Sequence, residues 1–183
     1  MTDGAAGVPS AAAVVKLFRA VLDGDAPEPG EDLIGLLVAL QRNNLDQWQH
    51  EDITRDPAAD DAAVAAAKRE IDRLNATRHG LVEAIDDALT VAIDEHPSAV
   101  PATESPAMVF DRLSVLTIRV RYTERAATGD VAGRFAARLA VLEEQLALLT
   151  RALDGLVDDL HMGRRRFVPY QSLKLYGSGP TAD

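Results

Sequence analysis

The feature that most constrains this chain is its apolar periodicity. Hydrophobic residues recur at steps of three and four over long stretches, and the strict alternation that marks strands is scarce. Val64, Ala67, Ile71, Leu74, Leu81, Ile85 and Ala88 form one such stripe; Phe135, Leu139, Leu142, Leu146, Leu149, Leu153 and Leu156 form another. An α-helix turns about 100° per residue, so residues at this spacing share a face. Such faces are buried by packing on one another. The chain therefore reads as all-α, an up-and-down bundle of about five helices with an irregular C-terminal tail packed on it.

Helix breakers divide the pattern. The first helix is expected from Ser10, a plausible N-cap after Pro9, to Asp23. Residues 24–30, with Pro27 and Pro29, interrupt it. A second helix runs from Glu31 to Arg55, where Asp56-Pro57 stops it because proline disfavours helical geometry in the residue before it. Asp60 and Asp61 open a third, extending to Asp94 with a possible kink near Gly80. Three prolines make 96–106 a loop; a fourth helix covers Ala107 to Ala127, and Asp130 is placed to cap a fifth that ends at His161. With 183 residues and no composition shift, residues 1–183 are expected to form one domain, with 1–9 and 178–183 as flexible ends.

Composition narrows the function. A net charge of −10 argues against nonspecific binding to nucleic acid, which needs lysine and arginine to neutralise phosphates. The absence of cysteine excludes disulfides and thiolate metal sites. No histidine pair has zinc spacing and no glycine-rich phosphate loop occurs, so neither a metal nor a cofactor is expected. The longest apolar run, around Ile34 to Leu40, falls far short of the roughly 20 residues of a membrane span. Met1-Thr2-Asp3-Gly4 lacks the basic and apolar segments of an export signal, and a cytoplasmic location is expected.

Chemistry is suggested where a core-facing stripe turns polar. On the second helix the face of Leu33, Ile34 and Leu37 continues into Gln41, Asn44, Trp48, Glu51, Asp52 and Arg55, around the only tryptophan. On the third, Asn75 and Arg78 interrupt the stripe, flanked by Lys68, Asp72, His79 and Asp86. Packed antiparallel across the Pro57 turn, the two patches would meet, with Glu51 or Asp52 as the partner of Arg78. Buried charges are costly unless paired. One reading is a buried network that fixes helix register. The other is a water-reached cleft with carboxylates and an aromatic platform, the inventory of a sugar site. Glu51 and Asp52 are the favoured acid and base, with Asp46 third although it sits on the opposite face from Trp48. Asn44, Trp48, Arg55, Asn75 and Arg78 would shape subsites, with Asp72 and His50 beside them, His50 being on the solvent side. Arg164-Arg165-Arg166 can meet the negative end of the fifth helix, and the tail can lay Tyr170, Lys174 and Tyr176 along one wall.

The run Asn44-x-x-x-Trp48-x-x-Glu51-Asp52-x-x-Arg55, followed by Lys68-Arg69-x-Ile71-Asp72-x-x-Asn75-x-x-Arg78, resembles the bacterial family catalogued as domain of unknown function 4254. So do Asp111-Arg112-Leu113-Ser114-x-Leu116 and Gly163…Phe167-x-x-Tyr170-x-x-x-Lys174-x-Tyr176. Departures are Gln47 and Gln49 around the tryptophan and Gly177 after the last tyrosine. Within the family the chain is similar to the mycobacterial methylmannose polysaccharide hydrolases. That resemblance implies an endo-α-mannosidase cutting internal α-(1→4) links of a cytoplasmic, O-methylated polymannose. A long polymer needs an open groove, and a homodimer is expected to build it. The alternative is a non-catalytic helical binding or scaffold protein beside polysaccharide-synthesis enzymes, in which Glu51 and Asp52 are fully paired with Arg55 and Arg78 and no groove adjoins them.

Overall fold

The computed structural model describes residues 7–94, 96–128, 130 and 133–171. Five helices succeed one another: α1 (Ala11–Asp23), α2 (Leu33–Arg55), α3 (Asp61–Ala92), α4 (Pro106–Ala127) and α5 (Arg134–His161). Ser10, Asp32, Asp60 and Ser105 each accept a hydrogen bond from a first-turn amide, the usual way a helix start is satisfied. Pro106 then opens α4 where a missing N–H costs nothing. Asp130 caps α5 from a distance, its carboxylate accepting from Phe135 N at 2.8 Å. No break interrupts α3 at Gly80; that residue is exposed and the helix continues through it.

The second helix lies against the third, and the fourth against the fifth, while α1 spans α2, α4 and α5. Asn43 Nδ2 donates to the Leu74 carbonyl at 3.2 Å. Those two residues stand about equally far from the Asp56–Asp60 turn, so α2 and α3 run antiparallel. Close approach at the start of α2 depends on Gly35, where a Cβ would meet the Gly30 backbone at 2.2–2.6 Å. The core gathers Phe18, Leu37, Leu40, Ile85, Leu89, Phe110, Leu113, Leu153 and Leu160 into one cluster. Of the expected stripes, Ala67, Ile71, Leu74, Ile85, Leu142, Leu146 and Leu153 are buried and the rest half-buried. Ile34 departs from expectation and is exposed, since the buried face of α2 passes through Leu37, Leu40 and Gln41 instead.

The described part of the tail, up to residue 171, is packed on the bundle. Arg165–Arg166 (β2) pairs in parallel with Val100–Pro101 (β1), and Ala102 N donates to Arg166 O at 2.7 Å. Arg164 Nε and Arg165 Nε donate to Asp159 at 2.7 and 3.2 Å, so two of the three arginines meet a carboxylate in the last turn of α5. Beyond β2 the tail is anchored by Asp86 of α3. Fully buried, Asp86 accepts from Ala107 N at 3.1 Å and Tyr170 N at 2.8 Å, and it also bonds the Ser105 side chain. One carboxylate thus joins the start of α4 to the tail.

Burial pushes the Asp86 carboxyl above the ordinary range, against the opposing effect of those hydrogen bonds. A raised folded-state value means that folding favours the protonated form. The associated stability is complete below the unfolded-chain value and lost as pH rises through the folded one. Urea denaturation from about pH 4 to 7 should therefore show the wild type losing stability relative to Asp86→Asn, which cannot ionise. Parallel curves would contradict this. Asp86→Ala should cost roughly 1–3 kcal/mol for each buried donor it strands.

Candidate functional site

The polar ladder of α2 enters the bundle where α3 and α4 meet it. Asn44, buried, donates through Nδ2 to Asp111 Oδ1 and to Ser114 Oγ, both at 2.9 Å. The other carboxylate oxygen of Asp111 faces Arg78 Nε at 3.6 Å. Asp111 of α4 therefore links α2 through an amide and α3 through a guanidinium. The expected pairing of Arg78 with Glu51 or Asp52 is corrected: Asp111 reaches Arg78 from α4, while Glu51 is held by Arg55 one turn along its own helix at 2.7 Å.

Three adjoining pockets surround this junction. The first, of about 220 Å³, is lined by Asn44, Gln47, Trp48, Glu51, Arg55 and Arg78, with Val115 and Ile118 behind. Arg78 also borders the second, of about 200 Å³, whose other polar walls are His79, Glu104, Asp111, Arg112 and Tyr170. Asp111 and Arg112 continue into a third of about 640 Å³ between α4 and α5, lined by apolar residues such as Leu116, Leu148 and Leu149. Neither carboxylate is sealed: the side chains of Glu51 and Asp111 remain 34% and 17% exposed.

Three residues that line the first pocket carry polar atoms without a partner among the described residues. Asn44 Oδ1, Gln47 Oε1 and Trp48 Nε1 are withdrawn from water with no partner among the described residues. Buried polar atoms are nearly always paired, so three orphans on residues of one pocket call for an explanation such as ordered water. Trp48 also packs on Tyr122, ring centroids 5.4 Å apart, and the Arg125 guanidinium lies 5.9 Å from the Tyr122 ring centre. In the second pocket Tyr170 is placed by its amide on Asp86. Its hydroxyl then lies 2.6 Å from His79 Nδ1, with the two rings stacked at 5.6 Å.

Of the residues expected from sequence, Asn44, Trp48, Glu51, Arg55 and Arg78 converge on the first pocket and Tyr170 on the second. The others do not. Asp52 is exposed and borders none of the three pockets. Asp46 is exposed on the side of α2 that faces Arg73. Asp72 is exposed and pairs with Lys68 at 3.4 Å, Asn75 is half-buried outside the pocket walls, and half-buried His50 lies toward Glu70. Lys174 and Tyr176 lie outside the described residues. Sequence reasoning left Asp111, Gln47, His79, Glu104 and Tyr122 out of the site. Asp111 and Ser114 had a signal, a polar pair at helical spacing between the apolar residues of α4; Glu104, in a loop, had none.

The family model described as protein of unknown function (DUF4254) matches residues 35–168, which includes this entire constellation except Tyr170. The chain belongs to that family. No curated protein and no solved structure matches it. Among the described residues of this DUF4254 protein, no three histidine or acidic side chains are grouped to hold a metal ion, and no helix is long and apolar enough to cross a membrane.

The Asn44–Asp111–Arg78 junction should behave as a unit. Asn44→Ala strands Asp111 Oδ1 and Ser114 Oγ and is expected to cost roughly 1–3 kcal/mol by urea denaturation. In a double-mutant cycle with Asp111→Ala, a coupling of roughly 0.5–3 kcal/mol is expected. Additive costs would show that the contact does no work.

Proposed function

We propose that this protein is a glycoside hydrolase. The observation that carries the reading is a pocket that brings a tryptophan, an arginine and a carboxylate together, on residues some of which also carry unbonded polar atoms. Guanidinium donors and a carboxylate acceptor suit hydroxyl groups, which both give and take hydrogen bonds. The indole suits a sugar-ring face.

Glycoside hydrolysis generally uses two carboxyl groups on either side of the scissile bond. Glu51 and Asp111 flank Arg78 in adjoining pockets. In this proposal Asp111, oriented by Asn44 and Arg78, activates water, and Glu51, on the other side of Arg78, supplies the second carboxyl group. Asp52 and Asp46 fall outside the reaction because they face solvent elsewhere. Arg78 bridges the subsites, and Tyr170 with His79 borders the next sugar. The finer reading is an endo-α-mannosidase cutting internal α-(1→4) links of O-methylmannose polysaccharide, working as a homodimer. It is supported by the motif resemblance and by the apolar pocket between α4 and α5, which would receive O-methyl groups. The rival scaffold reading draws on the 2.7 Å Arg55–Glu51 pair, but Asp52 is not held by Arg78 and a pocket adjoins Glu51.

Incubation with methylmannose polysaccharide, with the products read by mass spectrometry, should yield shortened oligosaccharides. Asp111→Asn and Glu51→Gln should each lower the rate by at least about 100-fold, the scale of a lost acid or base. Asp52→Asn and Asp46→Asn should stay near wild type. No cleavage by the folded wild type over a range of pH would overturn the proposal. Full activity in folded Asp111→Asn would remove the assigned base.

A further inference from the structure

The last long helix is poorly covered for its length. Over 28 residues, about 42 Å at 1.5 Å per residue, α5 buries only Leu142, Leu146, Leu153 and Leu160. It packs on α4 and α1, and its opposite face meets no other helix among the described residues. Along that face Val141 and Leu148, one heptad apart, are 53% and 52% exposed, and Gly155 continues the line after a second heptad. Large apolar side chains repeated on one exposed helical stripe are the pattern of a helix–helix seam.

The charges on this stripe identify what fits it. Glu144 and Arg151 lie on the same flank, either side of Leu148, and both are exposed with no ion pair among the described residues. Two copies of α5 packed antiparallel about a two-fold axis near residues 147–148 bring Glu144 of each copy to Arg151 of the other. The two leucines then meet at the centre. A parallel pairing would put these charges of the two copies on opposite flanks of the seam, out of reach of one another. Self-complementarity of this kind is what a closed two-fold interface requires.

We infer that the exposed face of α5 is the docking surface for a second copy of this chain, antiparallel and centred near Leu148. Leu148 also borders the 640 Å³ pocket that continues from Asp111 and Arg112. The second copy's helix therefore adds a wall to that groove, and the significance of this wall for substrate rests on the hydrolase reading. The interface itself does not.

Sedimentation velocity of the full chain at micromolar concentration should show a species of twice 19.6 kDa. Leu148→Glu should give monomers with unchanged helical circular dichroism. Glu144→Arg and Arg151→Glu should each weaken the dimer by at least tenfold, and the double exchange should restore it. A monomeric wild type would overturn the inference. So would a dimer indifferent to Leu148→Glu, or single exchanges that the double does not rescue. A dimer with these properties but no cleavage of polysaccharide would uphold the interface and count against the hydrolase alone.

Discussion

One carboxylate on α4 holds the site together. Asp111 takes an amide hydrogen bond from α2 and faces a guanidinium from α3, so three helices converge on two oxygens. A charge with a mere 17% of its side chain exposed is tolerable in a helical core only when its partners are supplied at the right places. Asn44 and Arg78 supply them, and in doing so they set the spacing of the helices around the pockets. The polar seam is also what keeps the bundle open here. Leucines in these positions would close the gap that now lies between Trp48, Glu51 and Arg78.

A second carboxylate plays the corresponding role at the other end of the groove. Asp86 is fully buried among hydrogen-bond donors from the start of α4 and from the tail. Through the Tyr170 amide it positions the phenol beside His79, and hence one wall of the second pocket. Tyr170 thus brings the described tail to the site, while the β1–β2 pairing and the grip of Arg164 and Arg165 on Asp159 tie the preceding residues to the bundle.

The helices were legible in the sequence because burial in a bundle imposes a period of about 3.6 residues, and caps and prolines mark the ends. The α2 part of the site was legible for the same reason, since Asn44, Trp48, Glu51 and Arg55 stand where that period calls for apolar residues. What periodicity cannot supply is the partner across the bundle. Arg78 was visibly anomalous, but whether its carboxylate comes from α2 or α4 depends on which helices meet at that level. Asp46 and Asp52 show the converse error. Asp46 was kept as a candidate although it sits opposite Trp48, and Asp52 was placed on the Trp48 face although it diverges by about 100° from Glu51; both are exposed. Tyr170 was recognised as a docked residue, whereas its anchor, Asp86, is a single acidic residue on a helix with many.

The central proposition is that the opening between Trp48, Glu51 and Arg78 receives a carbohydrate. Trp48, the sole tryptophan, lines that opening and reports on it directly. Fluorescence titration with O-methylated α-(1→4)-mannose oligosaccharides should give a saturable change in Trp48 emission, one that Arg78→Met weakens by at least tenfold while the fold is retained. Emission that stays constant up to millimolar oligosaccharide would contradict the account.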